Sequence, residues 1–221
     1  MAYNIADLFE HAVDAVPDRV ALIVGDEPRT YAELDARANR FANHMASQRI
    51  GAGDHIGIFA GNSHQWVEAM LGAFKLRAVP INVNFRYVEE ELRYLVDNAD
   101  MVALVFDAAL AERVAPIYKD TPKLRHLVHI ADDTDTDSDP PATLPDSIGF
   151  EAALASADPE RRITERSGDD LYVLYTGGTT GMPKGVVWRH EDVFMALGGG
   201  IDAYTNEPVS SEQQLADKAL T

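Results

Sequence analysis

The chain has 221 residues, 36 of them acidic against 19 lysines and arginines, for a formal net charge of −17. That balance argues against a nucleic-acid surface, which needs a basic footprint to meet phosphate backbones. Without cysteine there is neither a disulfide framework nor a thiolate metal site, and the length suffices for one large or two small domains with a sizeable core.

Residues 1–7 lack the basic and then apolar order of a signal peptide, and no apolar run reaches the ~18 residues of a membrane span, so a cytoplasmic protein is expected. Residues 4–16 place Ile5, Leu8, Phe9, Ala12, Val13 and Val16 on a helical stripe stopped by Pro17. The polar face carries Asp7, Glu10 and Asp14, which favours packing on a sheet over lying on a membrane. Residues 20–24 form an apolar strand, and Gly25-Asp26-Glu27-Pro28 supplies turn chemistry for a hairpin. Thr30 and Glu33 have the spacing of a capping box, and Leu34, Ala38, Phe41 and Met45 keep helical spacing to about Arg49, where Gly51-Ala52-Gly53 breaks it.

An alternation follows. Residues 55–60 read as a strand, and 63–76 as a helix buried through Trp66, Val67, Met70, Leu71 and Phe74. Residues 79–83 read as a strand, 87–98 as a helix with Leu92, Leu95 and Val96 inside, and 101–106 as an apolar strand. Residues 108–118 and 127–130 continue as helix and strand. Strands separated by helices of this length imply an α/β fold, a mostly parallel sheet with helices on both faces. Glu89-Glu90-Glu91 reads as a helix start complementing the helix dipole, because consecutive helical residues point in different directions.

Residues 131–147 hold six aspartates, three prolines and one large apolar residue, and read as a solvated acidic loop. They lack the glycine and glutamate positions of an EF-hand. A short helix over 150–155 and an exposed connection over 158–167 lead to Asp169-Asp170. The expected division is an α/β lobe over 1–168 and the start of a second, phosphate-binding subdomain over 169–221. After residue 188 a helix ends at Gly198-Gly199-Gly200, and residues 210–216 suggest a capped short helix.

The most informative stretch is Tyr175-Thr176-Gly177-Gly178-Thr179-Thr180-Gly181-Met182-Pro183-Lys184-Gly185-Val186, which follows the apolar run Leu171-Tyr172-Val173-Leu174, a buried strand by composition. Four glycines let backbone amides approach an oxyanion, three threonines add hydroxyl donors and Lys184 adds a charge. It is not a Walker loop, because Lys184 lies between Pro183 and Gly185 and is followed by strand-like Val186-Val187-Trp188. A hairpin-like flap is expected. This segment closely resembles the phosphate-loop signature of the adenylate-forming enzymes, which include acyl-CoA synthetases, nonribosomal-peptide adenylation domains and firefly luciferase. Their common form has Ser where Gly177 stands, so one hydroxyl donor is absent here. Thr30, Tyr31, Glu33 and Leu34 also resemble the segment that opens the family's first long helix.

The resemblance implies that a carboxylic acid attacks the α-phosphorus of ATP and that the acyl-adenylate then passes to the thiol of coenzyme A. It implies that Lys184, Thr179, Thr180 and the amides of Gly178 and Gly181 hold the leaving phosphates, with Mg²⁺ sharing the charge, while Thr176 and Gly177 shape the loop entry. Lys184 and Thr180 are the expected catalytic residues. Trp188-Arg189 resembles a variant in actinobacterial synthetases acting on fatty-acid or steroid side chains. Arg189-His190 stands where relatives often carry Thr-His, and His190 is expected to pack rather than catalyse, since an ionised carboxylate needs no base.

In such enzymes adenine recognition, the magnesium-binding glutamate, the ribose-binding aspartate and the catalytic lysine of a second domain come later. The chain is therefore expected to represent the N-terminal part of a ligase and to be inactive alone. An amino-acid or aryl-acid adenylation fragment, a non-catalytic phosphate- or nucleotide-binding module, and a fragment that self-associates through a bare sheet edge are the alternatives.

Overall fold

The computed structural model describes residues 3–131, 141–163, 165–176, 182–197, 199–201, 206–211 and 214. Asn4 accepts from the Ala6 amide and so caps α1 (Ile5–Ala15). Strands β1 (Val20–Val24) and β2 (Glu27–Thr30) form the expected hairpin, with Glu27 and Pro28 already in the second strand. Thr30 and Glu33 make the reciprocal bonds of a capping box at the start of α2 (Tyr31–Ser47). The alternation continues with β3 (His55–Phe59), α3 (His64–Lys75), β4 (Val79–Asn82), α4 (Glu89–Asn98), β5 (Met101–Asp107), α5 (Ala111–Asp120) and β6 (His126–Ile130). Then come β7 (Ile148–Gly149), α6 (Phe150–Ala155), β8 (Leu171–Thr176), β9 (Lys184–Arg189) and α7 (His190–Leu197).

Seven strands form one sheet in the order β7-β6-β5-β3-β4-β8-β9, parallel throughout except for the antiparallel pair β8 and β9. Helices cover both faces, as the alternation predicts. On one side Phe41 and Met45 of α2, Ala69 and Ala73 of α3 and Phe150 and Leu154 of α6 pack on Ile56, Ile58, Ala103 and Val105. On the other, Leu92, Leu95 and Val96 of α4 and Val114 and Ile117 of α5 pack on Ile81, Leu104, Phe106 and Val173. Among the described residues no helix is long and apolar enough to cross a membrane.

Four expectations change. The inner face of α3 is Glu68, Ala69, Gly72, Ala73 and Phe74, with Trp66, Val67, Met70 and Leu71 only half-buried. Small residues are needed there because α2 comes so close that a Cβ on Gly72 would lie 2.7 Å from Phe41 Cδ1 and 2.8 Å from the Ala38 carbonyl. Of the acidic segment, residues 132–140 lie outside the described residues, and at its end Ala142, Thr143, Pro145 and Asp146 are exposed as expected while Leu144 and Ser147 are buried. Leu144 enters the core, and the buried Ser147 hydroxyl donates to the Leu144 carbonyl and meets His129 Nδ1 at 2.9 Å. Strand β8 buries only Val173 fully, since α4 covers one of its faces and its neighbour β9 is mostly exposed. Most of the expected 210–216 helix also lies outside the described residues.

The fourth change concerns residues 158–167, read as an exposed connection. Arg166 is in fact buried, donating to Asp7 at 2.5 Å, to Glu10 at 3.0 Å and to the Lys75 carbonyl at 3.1 Å. Lys75, equally buried, pairs with Glu10 and, at 2.6 Å, with Asp35. Arg161 joins Asp14 at 2.9 Å and Asp35 at 3.1 Å. This ionic cluster ties α1, α2 and α3 to the chain that leads into β8.

At the amino edge of the sheet, His44 and His126 meet Nε2 to Nε2 at 3.0 Å. Ser156 Oγ donates to the Ala153 carbonyl at 2.7 Å, so it accepts from His44 Nδ1–H at 2.9 Å. His44 Nε2 is then the acceptor of the His126 Nε2–H, and a second proton on the His44 ring would meet that hydrogen. Burial, then the neighbouring His44 and Arg125, pushes His126 down to about 4, and burial also lowers His44. A depressed histidine contributes stability that is complete above its unfolded pKa near 6.5 and is lost as pH falls toward 4. Urea midpoints should therefore decline between pH 6.5 and 5, with the full effect on the order of 2–3 kcal/mol by pH 4. His126→Gln should flatten the pH 6.5 to 5 slope; an equal slope in the variant would rule the pair out as its source.

Candidate phosphate-binding flap

The segment that resembles a phosphate loop joins β8 to β9, so the expected hairpin-like flap is what the fold builds. Because β8 runs parallel to β4, β8 ends and β9 begins at the carboxyl edge of the sheet, where open α/β sheets bind ligands. Thr176 and Lys184 are directly opposite in the last rung of the β8–β9 ladder, and both are exposed. Partners across an antiparallel rung share a face, so a hydroxyl and an ammonium stand side by side at the mouth of the flap. Gly177, Gly178, Thr179, Thr180 and Gly181, the remaining predicted contacts, lie outside the described residues.

The faces of the hairpin are set by the helices. Tyr172 points toward α3, where its ring meets Phe74 edge-on with centroids 5.6 Å apart. The period of two then puts Thr176 and Lys184 on that face, while Val173 and Tyr175 face α4. The root of β8 is anchored by Asp170, which accepts from Arg77 Nε at 3.1 Å and Nη2 at 2.8 Å and from Asn4 Nδ2 at 3.0 Å. The far end of β9 is held by Arg189, bonded to Asp169 at 2.8 Å and to Asp192 at 2.6 Å. Sequence reasoning noted Asp169-Asp170 but missed their partners, which lie on other elements.

His190 is fully buried, as a packing role requires. Its Nδ1 accepts from the Ile5 amide at 3.3 Å, and its ring stands edge-on to Phe74 with centroids 4.7 Å apart. Burial pushes its pKa down despite the nearby Asp170. It supports the roots of β8 and β9 from below and does not reach the flap mouth. A separate cleft of about 600 Å³ opens where β3 and β5 end, lined by Arg29, Asn62, Ser63, His64 and Asp107. Asp107 closes its floor by accepting from the Gly61 amide at 2.8 Å.

Relatives match this sequence along nearly the whole chain. The 3-oxocholest-4-en-26-oate–CoA ligase of Rhodococcus rhodochrous is 51% identical over 98% of the chain, which covers 38% of that protein. A medium/long-chain-fatty-acid–CoA/3-oxocholest-4-en-26-oate–CoA ligase of Mycobacterium marinum (strain ATCC BAA-535 / M) is also 51% identical, over 99% of the chain and 40% of the relative. The chain thus spans about two fifths of the length of these curated relatives. The crystal structure of the N-terminal domain of FACL13 from Mycobacterium tuberculosis, inhibitor-bound, superimposes with a TM-score of 0.69 at 29% identity, covering 86% of this chain and 45% of that one. With residues 9–216 matching the profile of the AMP-binding enzyme family around a flap of this sequence and placement, the chain belongs to that family.

Proposed function

We propose that this chain is the N-terminal, phosphate-holding part of an acid–CoA ligase that activates a fatty acid or a steroid side-chain acid. The observation that carries the reading is the 51% identity, over nearly all of the chain, to ligases named for those acids. In the reaction a carboxylate oxygen attacks the α-phosphorus of ATP, the bond to pyrophosphate breaks, and the thiol of coenzyme A later displaces AMP from the acyl carbon. The side-by-side Thr176 hydroxyl and Lys184 ammonium fit the oxygens of a triphosphate. The chain's contribution is to hold the β- and γ-phosphates while charge collects on the leaving group, with Lys184 and Thr180 as catalytic residues and Gly177, Gly178, Thr179 and Gly181 closing around the phosphates.

Among the described residues no group of three or more His, Asp or Glu side chains could hold a metal ion. Mg²⁺ would share the charge of the bound phosphates, with the family's magnesium-binding glutamate expected later in the sequence than these residues. Residues 169–221 are proposed to open a second subdomain, although β8 and β9 extend the sheet of the first. A cytoplasmic location follows from the same reading.

The isolated 221-residue chain should show no carboxylate-dependent exchange of pyrophosphate into ATP. Grafting residues 1–216 in place of the matching part of the Rhodococcus rhodochrous ligase should give a chimera that does exchange. A folded chimera without exchange would reject the reading. The rival, self-association through β9, draws on Val186 and Val187, which are 42% and 62% exposed on that strand. It predicts a concentration-dependent dimer with no pyrophosphate binding.

A further inference from the structure

We propose that α4 is the seat of the β8–β9 hairpin and that Tyr175 is the residue that positions its end; the inference rests on the phosphate reading above. Tyr175 stands one rung below the Thr176–Lys184 pair, opposite Gly185. Its ring lies across that glycine so closely that a Cβ there would be 3.0 Å from Cζ and 3.3 Å from the phenol oxygen. The hydroxyl continues past Gly185 to donate to Asn98 Oδ1, at the last residue of α4, at 2.8 Å. Partial burial, with Tyr94 and Asp100 nearby, pushes the phenol up and keeps it a neutral donor.

The other foot of the flap turns to the same helix. Met182 lines a shallow cleft together with Glu90, Arg93 and Tyr94 of α4. Tyr175 bonds to α4 and Met182 shares a cleft with it, and the inner side of α4 is fixed in the core by Leu92, Leu95 and Val96. A β-hairpin near a sheet edge is free to twist unless one of its faces is held. The ring on Gly185 and the bond to Asn98 hold the α4 face of β8 and β9. Because rungs alternate, that sets the direction in which Thr176 and Lys184 are presented on the opposite face. The glycine after the lysine is explained as well: it makes room for the ring.

Hydrogen exchange on the intact chain tests the geometry. Tyr175→Phe and Asn98→Ala should each raise amide exchange across residues 182–186 about three- to tenfold, the range of one hydrogen bond, with β3 and β5 unchanged. The double variant should exceed neither single one, and Asn98→Asp, which keeps an accepting oxygen, should exchange like the parent. Parental exchange in both single variants, or additive effects in the double, would overturn the proposal. In the chimera, Tyr175→Phe should lower kcat for adenylate formation with KM for the acid unchanged, a split that general destabilisation would not produce. If Lys184→Ala slows the chimera and Tyr175→Phe does not, the positioning role alone falls. If neither does, the phosphate reading falls with it.

Discussion

Lys184→Ala is expected to slow acyl-adenylate formation by about ten- to a thousandfold in the chimeric ligase, the scale of losing one well-placed electrostatic contact. The side chain is exposed at the first rung of β9, so its removal disturbs neither core nor ladder. Its charge faces a more concentrated negative charge when pyrophosphate departs than in bound ATP, so turnover should fall more than ATP affinity. Single-turnover measurement of adenylate formation at saturating ATP separates the two. An unchanged rate would leave the flap as a scaffold and remove Lys184 from the chemistry.

Arg166→Ala should destabilise the chain by about 3–5 kcal/mol at pH 7, the cost of breaking a buried ion cluster by removing one partner. Arg166 and Lys75 each leave only 2% of the side chain exposed, and Glu10 bonds to both. Without the guanidinium, Asp7 loses this cation and Glu10 keeps Lys75 and, at 3.9 Å, Arg161, in a partly dehydrated site. Lys75→Met should be similarly severe, because Asp35 and Glu10 lose a shared partner. Urea unfolding followed by circular dichroism would measure both, and a loss under about 1 kcal/mol in each would show that water replaces the pairing.

The same cluster has an acid dependence of known sign. Burial alone would raise the pKa of Glu10, but the bonds from Arg166 and Lys75 outweigh it and hold the carboxyl below its usual value. Its contribution is therefore complete above the unfolded value near 4.5 and is lost as pH falls through the lower folded one. This decline sets in only near pH 4.5, so the slope between pH 6.5 and 5 belongs to the histidine pair and the two can be told apart on one pH series.

Local signals were legible in the sequence because they are closed within a few residues. The Thr30–Glu33 box joins groups three positions apart, and it is formed as the side-chain chemistry dictates. The strand–helix alternation specified a mostly parallel sheet for the same reason, since short connections leave few topologies. The motif over 175–186 placed a flap between strands, and β8 and β9 supply it. What only the tertiary structure decided are the partners far along the chain. Arg166 finds Asp7 across 159 positions and Arg77 finds Asp170 across 93, and nothing in the pattern around residues 158–167 separates a buried arginine from a solvated one. Tyr175 meeting Asn98 is of the same kind, 77 positions apart. The inner face of α3 also eluded periodicity, because hydrophobic spacing marks a buried stripe but not how closely the neighbouring helix approaches. At Gly72 that distance selected small residues and turned Trp66 and Met70 to the flank.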